Sequence, residues 1–184
     1  MRPVILASAS PRRRELLREL VPEFESAVSE VDEESQTKED PWHTAEHLAE
    51  AKALAVLSMR PEVRVIGGDT VVAVKNDGWE QLAKPATFDE ACEMLRRLSG
   101  REHVVITGVC VASADGVRTA SETTRVAFRR LSEEEIREYV ATGEPMDKAG
   151  AYAIQGGAAG FVESVDGSVS NVVGLPLELL KGML

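Results

Sequence analysis

The sequence predicts a single α/β domain built on a mixed sheet, and three observations carry that reading. Short apolar runs with strand character alternate with segments of helical periodicity. Two pairs of strands are joined by tight turns, Asn76-Asp77-Gly78 and Asp115-Gly116, so part of the sheet is antiparallel. The 184 residues are 43% hydrophobic and 28% charged, enough for one core over residues 1–184 without disulfides or structural zinc. Aromatic residues are only 4%, so Val, Leu, Ile and Ala must supply most of that core.

In chain order, residues 4–7 read as a short buried strand. Ser10-Pro11 then opens a helix, Ser at the N-cap and Pro in the first turn, with Leu16, Leu17 and Leu20 as its apolar face. The polar segment 30–40 reads as a long loop. Asp40-Pro41 opens a second helix, running to about Met59, with Ala45, Leu48, Ala49, Ala55 and Val56 as its buried stripe. Residues 63–74 form a strand that returns over 79–83. A helix over 88–98 stops at Gly100. Residues 103–112 and 118–128 are two long strands. Ser132 begins a further helix with Glu135 completing a capping box, and Gly143 ends it. Residues 149–160 are rich in Gly and Ala, which suits a loop whose backbone approaches a ligand. A last short helix spans 176–183.

Charge removes some functions. Lys plus Arg is 21 against 31 Asp plus Glu, a net charge of −10. Non-specific binding to nucleic acid or to an anionic membrane does not fit that balance. An anionic small ligand still fits, because a local cation cluster or a divalent metal can reverse the field at a site. Cys92 and Cys110 form no CxxC or zinc spacing and read as free thiols of a reducing compartment. Val4-Ile5-Leu6 before Ala7-Ser8-Ala9 imitates a signal peptide but is too short for one, and no run is long enough to span a membrane. A cytoplasmic protein is expected.

Four places carry chemistry. Ser8-Ala9-Ser10-Pro11-Arg12-Arg13-Arg14 sits at a strand-to-helix junction. Free N–H groups, hydroxyls and guanidinium groups there suit a phosphate, and cations are unfavourable at a helix N-terminus unless an anion is present. A basic first turn on a solvated helix is the plain alternative. No Walker motif occurs, so a P-loop is excluded. Gly67-Gly68-Asp69-Thr70 sets a carboxylate inside an apolar strand, as metal ligand, general base, or merely a turn residue. Lys84, before Pro85, falls roughly across the hairpin from residues 69 and 70, facing a common site or making a cross-strand ion pair. Lys52 lies beside the apolar stripe of the second helix, where many lysines only snorkel. His43 and His47, at i and i+4, lack a third zinc ligand, and Glu133-Glu134-Glu135 is a favourable charge cluster at a helix start.

The motifs together resemble the Maf family, whose members are nucleoside triphosphate pyrophosphatases, also called septum formation inhibitor proteins. The resemblance rests on Leu6-Ala7-Ser8-Ala9-Ser10-Pro11-Arg12-Arg13, Asp32-Glu33, Leu48-Ala49-Glu50-Ala51-Lys52-Ala53, Gly68-Asp69-Thr70-Val71-Val72, Lys84-Pro85, and Asp147-Lys148-Ala149-Gly150-Ala151-Tyr152-Ala153-Ile154-Gln155-Gly156. These occur in family order and span nearly the whole chain. The resemblance implies an elongated fold similar to inosine triphosphate pyrophosphatase, with two lobes around a cleft. It implies metal-dependent hydrolysis, with Mg or Mn, of a nucleoside triphosphate to the monophosphate and pyrophosphate. The family's phosphate-binding positions map onto Ser8, Arg12, Arg13, Lys52 and Lys84, its acidic positions onto Glu33 and Asp69, and its base-side glutamine onto Gln155. Arg12, Thr70 and Gln155 match the family's pyrimidine branch, which implies dTTP and UTP as substrates. The alternatives are a 7-methyl-GTP or other modified-nucleotide pyrophosphatase, and a nucleotide-binding regulator of cell division with little turnover. Family analogy also suggests a homodimer. His47 stands where the family often has Arg.

Overall fold

The computed structural model describes residues 2–184. It is a mixed α/β fold with a seven-stranded sheet, six strands in the order β2-β1-β3-β5-β6-β7 and β4 paired to β3. The strands are β1 (Val4–Ala7), β2 (Glu25–Ser26), β3 (Arg64–Lys75), β4 (Trp79–Leu82), β5 (Glu102–Ser113), β6 (Gly116–Phe128) and β7 (Val162–Asp166). The helices are α1 (Pro11–Arg18), α2 (Pro41–Met59), α3 (Phe88–Leu98), α4 (Glu133–Ala141), α5 (Val169–Val173) and α6 (Leu177–Met183). No helix among the described residues is long and apolar enough to cross a membrane.

Capping chemistry sets the helix starts where the sequence places them. Ser10 Oγ accepts from the Arg13 N–H, Asp40 from the His43 N–H, and Thr87 from the Glu90 N–H. Ser132 and Glu135 form the reciprocal capping box of α4. Gly100 and Gly143 follow α3 and α4 with φ of 67° and 78°, the left-handed conformation that closes a helix cheaply only for glycine.

The chain divides into two compact units, residues 1–70, 106–122 and 170–184 in one, 71–105 and 123–169 in the other, so that β3, β5 and β6 each contribute to both. In the first unit β1 runs parallel to β2 and to β3, with Ile5 opposite Val65 and Ala7 opposite Gly67. Strand alternation sends Ile5, Ala7, Val63, Val65, Cys110 and Ala112 to one face, where Ala49, Ala53 and Val56 of α2 cover them. Leu6, Ile66, Val109 and Val111 point to the other face, against Leu17, Leu175, Leu180 and Met183. Full burial of one such leucine or isoleucine is worth about 1.5–3 kcal/mol.

In the second unit the end of β3 pairs antiparallel with β4, from Val72 opposite Leu82 to Lys75 opposite Trp79, as the Asn76-Asp77-Gly78 turn requires. β6 pairs antiparallel with β7. Phe128, His103 and Tyr139 pack edge to face with Tyr152 and Phe161 of the segment 149–161, with ring centroids 4.8 to 6.1 Å apart.

Some details differ from expectation. Leu20 lies beyond the end of α1, though it still packs on the core. On α2 it is Ala53 that is buried, while Ala55 is only half-covered. The segment 149–160 is not a plain loop, because short 3-10 turns form at Ala149–Ala151 and Ala159–Phe161. β2, β7 and α5 have two to five residues each, too few to show a period.

Candidate functional site

Glycine shapes the first unit's polar centre. A Cβ on Gly67 would overlap the Ala49 carbonyl oxygen, and one on Gly108 would overlap the Ala45 carbonyl. Their absence lets α2 lie directly on β3 and β5. Position 69 shares a strand face with position 67, and position 52 is one helical turn beyond position 49. The close approach that Gly67 permits therefore brings Lys52 onto Asp69. Lys52 Nζ donates to Asp69 Oδ1 at 2.7 Å and sits 2.8 Å from Glu33 Oε1. Lys52 and Asp69 are 8% and 7% exposed, so neither is a snorkelling lysine nor a turn aspartate. Asp69 lies in mid-strand with Lys52 as its partner.

The opposite face of β3 carries a second arrangement. Gly68 leaves room for Arg13, whose Nε would stand 3.3 Å from a Cβ there. Arg13 Nε donates to the Gly174 carbonyl at 2.7 Å, Nη2 to Thr70 Oγ1 at 2.9 Å, and Nη1 to Ser8 Oγ at 3.4 Å. Ser8 Oγ also accepts from the Ser10 N–H at 3.1 Å, which ties the end of β1 to the start of α1. Thr70 Oγ1 lies 2.9 Å from Thr107 Oγ1, and Thr107 donates to the Asn171 carbonyl at 2.9 Å. Burial pulls the Arg13 guanidinium down from its ordinary value, against the opposing pull of Asp69 and Glu33, and Arg12 adds to the depression. It remains a cation.

Ser8, Arg13, Glu33, Lys52, Asp69 and Thr70 are thus gathered where β1 ends, beside the middle of β3. Arg12 is half-buried beside Arg13. The arrangement offers two carboxylate groups converging on one cation and a fixed guanidinium for an anion. Lys84 and Gln155 belong to the second unit, and both are exposed. The β4 ladder ends at Leu82 opposite Val72, short of residue 84. The loop bearing Gln155 is pinned on both sides. Tyr139 Oη accepts from the Ala153 N–H at 3.0 Å, and Glu144 Oε2 accepts from the Gly157 N–H at 3.0 Å.

Sequence reasoning missed Thr107, Asn171 and Gly174. Thr107 left a signal, as the one hydroxyl in the apolar run 104–112. Asn171 and Gly174 left none, since they act through backbone carbonyls. His43 and His47 stack edge to face with centroids 6.2 Å apart, and no cluster of three His, Cys, Asp or Glu suited to a metal occurs among the described residues. Both cysteines are buried and free.

The sequence model of the family described as "Maf-like protein" matches residues 3–184. A protein of Symbiobacterium thermophilum named dTTP/UTP pyrophosphatase is 52% identical over 184 residues, covering 100% of this chain and 93% of its own length. One of the same name from Pelotomaculum thermopropionicum is 49% identical over 186 residues, covering 100% of this chain and 96% of its own length. Among solved structures, the Staphylococcus aureus Ham1 protein matches with a TM-score of 0.54 at 14% identity, covering 98% of this chain and 97% of that one. That last likeness is one of fold.

Proposed function

The chain belongs to the Maf-like protein family, and from that premise we propose that it hydrolyses dTTP and UTP to the nucleoside monophosphate and pyrophosphate. The observation that carries the reading is the Glu33–Lys52–Asp69 cluster on one face of β3 with Arg13 fixed on the other. Two relatives of that activity, each about half identical over the whole chain, support it.

A divalent metal fits the residues present. Glu33 Oε1 and Asp69 Oδ1 already converge on one cation, the Lys52 ammonium, at 2.8 and 2.7 Å. Two carboxylates are what Mg or Mn takes from a protein when phosphate and water complete its shell. Glu33 and Asp69 would hold the ion, which when bound would offset charge on the triphosphate.

The chain's own residues then have distinct tasks. Arg13, held by the Gly174 carbonyl, Thr70 and Ser8, binds a phosphate group without first having to be ordered. Lys52 and Arg12 add positive charge where the pyrophosphate leaving group develops its own. Asp69 orients the attacking water and accepts its proton, and attack falls on the α-phosphorus. For the second unit the family resemblance supplies the roles. Lys84 binds phosphate, and Gln155 meets the base with an amide that both donates and accepts. The family match spans both units, which supports treating 1–184 as one catalytic domain.

The test is a panel of dTTP, UTP, CTP and 7-methyl-GTP with and without excess EDTA, reading pyrophosphate and orthophosphate. Pyrophosphate release, fastest from dTTP and UTP and abolished by EDTA, is expected. A preference for 7-methyl-GTP, stepwise orthophosphate release, or nucleotide binding without turnover would overturn the reading.

A further inference from the structure

Proton counting gives the Arg13 arrangement a direction. Thr107 is fully buried, and its hydroxyl donates to the Asn171 carbonyl, which can only accept. A hydroxyl has one proton. In the Thr70–Thr107 pair, 2.9 Å apart, Thr70 must therefore be the donor. Thr70 in turn accepts from Arg13 Nη2. The sequence of donors runs one way, from Arg13 to Thr70 to Thr107 to Asn171. It also closes on itself through the backbone. Asn171 belongs to α5, and Gly174, just past that helix, accepts from Arg13 Nε.

We propose that Thr107 is a positioning residue for the phosphate-binding guanidinium. By drawing off the only proton of Thr70, Thr107 leaves that hydroxyl a pure acceptor toward Arg13, so the guanidinium plane has one orientation. Were Thr107 absent, the Thr70 proton would lose its buried partner and could turn toward Arg13, donor against donor. A chain of this kind, buried at its inner end, stays in one arrangement only when every member is satisfied. The proposal rests on the reading of Arg13 as a phosphate ligand.

Thr107→Val keeps the shape and removes the hydroxyl, and Thr107→Ser restores it. Thr107→Val should lower kcat/KM for dTTP by about tenfold or more, as a misplaced ligand-binding group does. Thr107→Ser should stay within about threefold of wild type. The Thr107→Val/Arg13→Lys double variant should be no slower than Arg13→Lys alone, whereas a merely structural role would give multiplying losses. Binding of inorganic pyrophosphate, measured by calorimetry, reads the same guanidinium without turnover, and its Kd should rise with Thr107→Val. If wild type released no pyrophosphate from any nucleotide, the functional reading would fail, while a raised pyrophosphate Kd would still uphold the positioning role. Unchanged kcat/KM and Kd in folded Thr107→Val, a Ser variant as poor as the Val variant, or multiplying losses in the double variant would each overturn it. Should Thr107→Val not fold, Thr107→Ala removes the same hydroxyl from a smaller side chain and gives the same contrast with Thr107→Ser.

Discussion

The two units solve the burial of polar groups in opposite ways. In the first, the buried charges, Lys52 and Asp69, are paired. Lys52 meets two carboxylates, and Arg13 spreads three N–H groups over a carbonyl and two hydroxyls. In the second, His103 and the tyrosines are neutral and sit among rings. His103 Nε2 lies 2.7 Å from Tyr152 Oη, and Tyr139 holds the Ala153 N–H. Burial pushes His103 down to about 3, with the Arg101 charge adding to the shift, and pushes the Tyr152 hydroxyl up. Both groups are therefore uncharged at neutral pH. The charged, closely fitted centre of the first suits a phosphate chain, whereas the second holds a neutral aromatic cluster.

The largest expected effect breaks the first unit's chemistry. Asp69→Asn keeps the volume and removes the base, so kcat should fall by about 10²–10⁴-fold with the protein still folded. A variant retaining more than about a tenth of wild-type kcat would take the catalytic task away from Asp69. Next comes the packing that makes the site. Gly67→Ala puts a Cβ into the Ala49 backbone carbonyl, which cannot turn aside, and should cost about 1–3 kcal/mol or more. Gly78→Ala meets nothing within 4 Å and should change stability by less than about 0.5 kcal/mol. Equal urea midpoints for the two variants would contradict the role of Gly67 as the point where α2 touches the sheet.

Local rules made much of this legible beforehand. Ser10-Pro11, Asp40-Pro41 and Ser132 with Glu135 start helices through short-range hydrogen bonds, and the structure starts α1, α2 and α4 at those residues. The hairpin at Asn76-Asp77-Gly78 was legible for the same reason. Asp69 stood out as a carboxylate in an apolar strand, but its partner could not be read. The hairpin pointed to Lys84, and the partner is Lys52, because the pairing depends on how closely α2 approaches β3. That approach depends on Gly67 and Gly108 acting together across 41 positions of sequence, a tertiary fact with no local period. α5 was invisible because five residues show no period, and Asn171 and the following Gly174 complete the Arg13 arrangement through backbone carbonyls.

The second unit's neutral aromatic cluster should show itself in acid. His103 binds its proton in the folded state only near pH 3, whereas an unfolded histidine does so near 6.5. Above about pH 6.5 both states are neutral there, and the contribution to stability is full. As pH falls below that value, the unfolded chain gains a proton that the folded one refuses. Stability therefore drops by up to about 1.4 kcal/mol per pH unit toward pH 3. His103→Gln keeps a polar partner for Tyr152 and removes the titration, so its urea-unfolding free energy should fall less between pH 7 and pH 5. Identical pH slopes for wild type and variant would show that the His103 site is not what acid attacks.

The smallest effect probes selectivity alone. Gln155 is exposed, and its loop is anchored through Ala153 and Gly157 rather than through its own side chain. Gln155→Glu should therefore leave folding unchanged while altering what the loop offers a base. Thymine and uracil present two carbonyl acceptors flanking one N–H, which an amide can match as donor and acceptor. A carboxylate would set acceptor against acceptor at a carbonyl, while a cationic 7-methylguanine with its N–H donors would find it favourable. One lost hydrogen bond at an open site is worth about 1 kcal/mol, so kcat/KM for dTTP and UTP should fall about five- to tenfold. The value for 7-methyl-GTP should stay level or rise. If dTTP and 7-methyl-GTP changed by the same factor, the side chain would be acting on turnover rather than on the base.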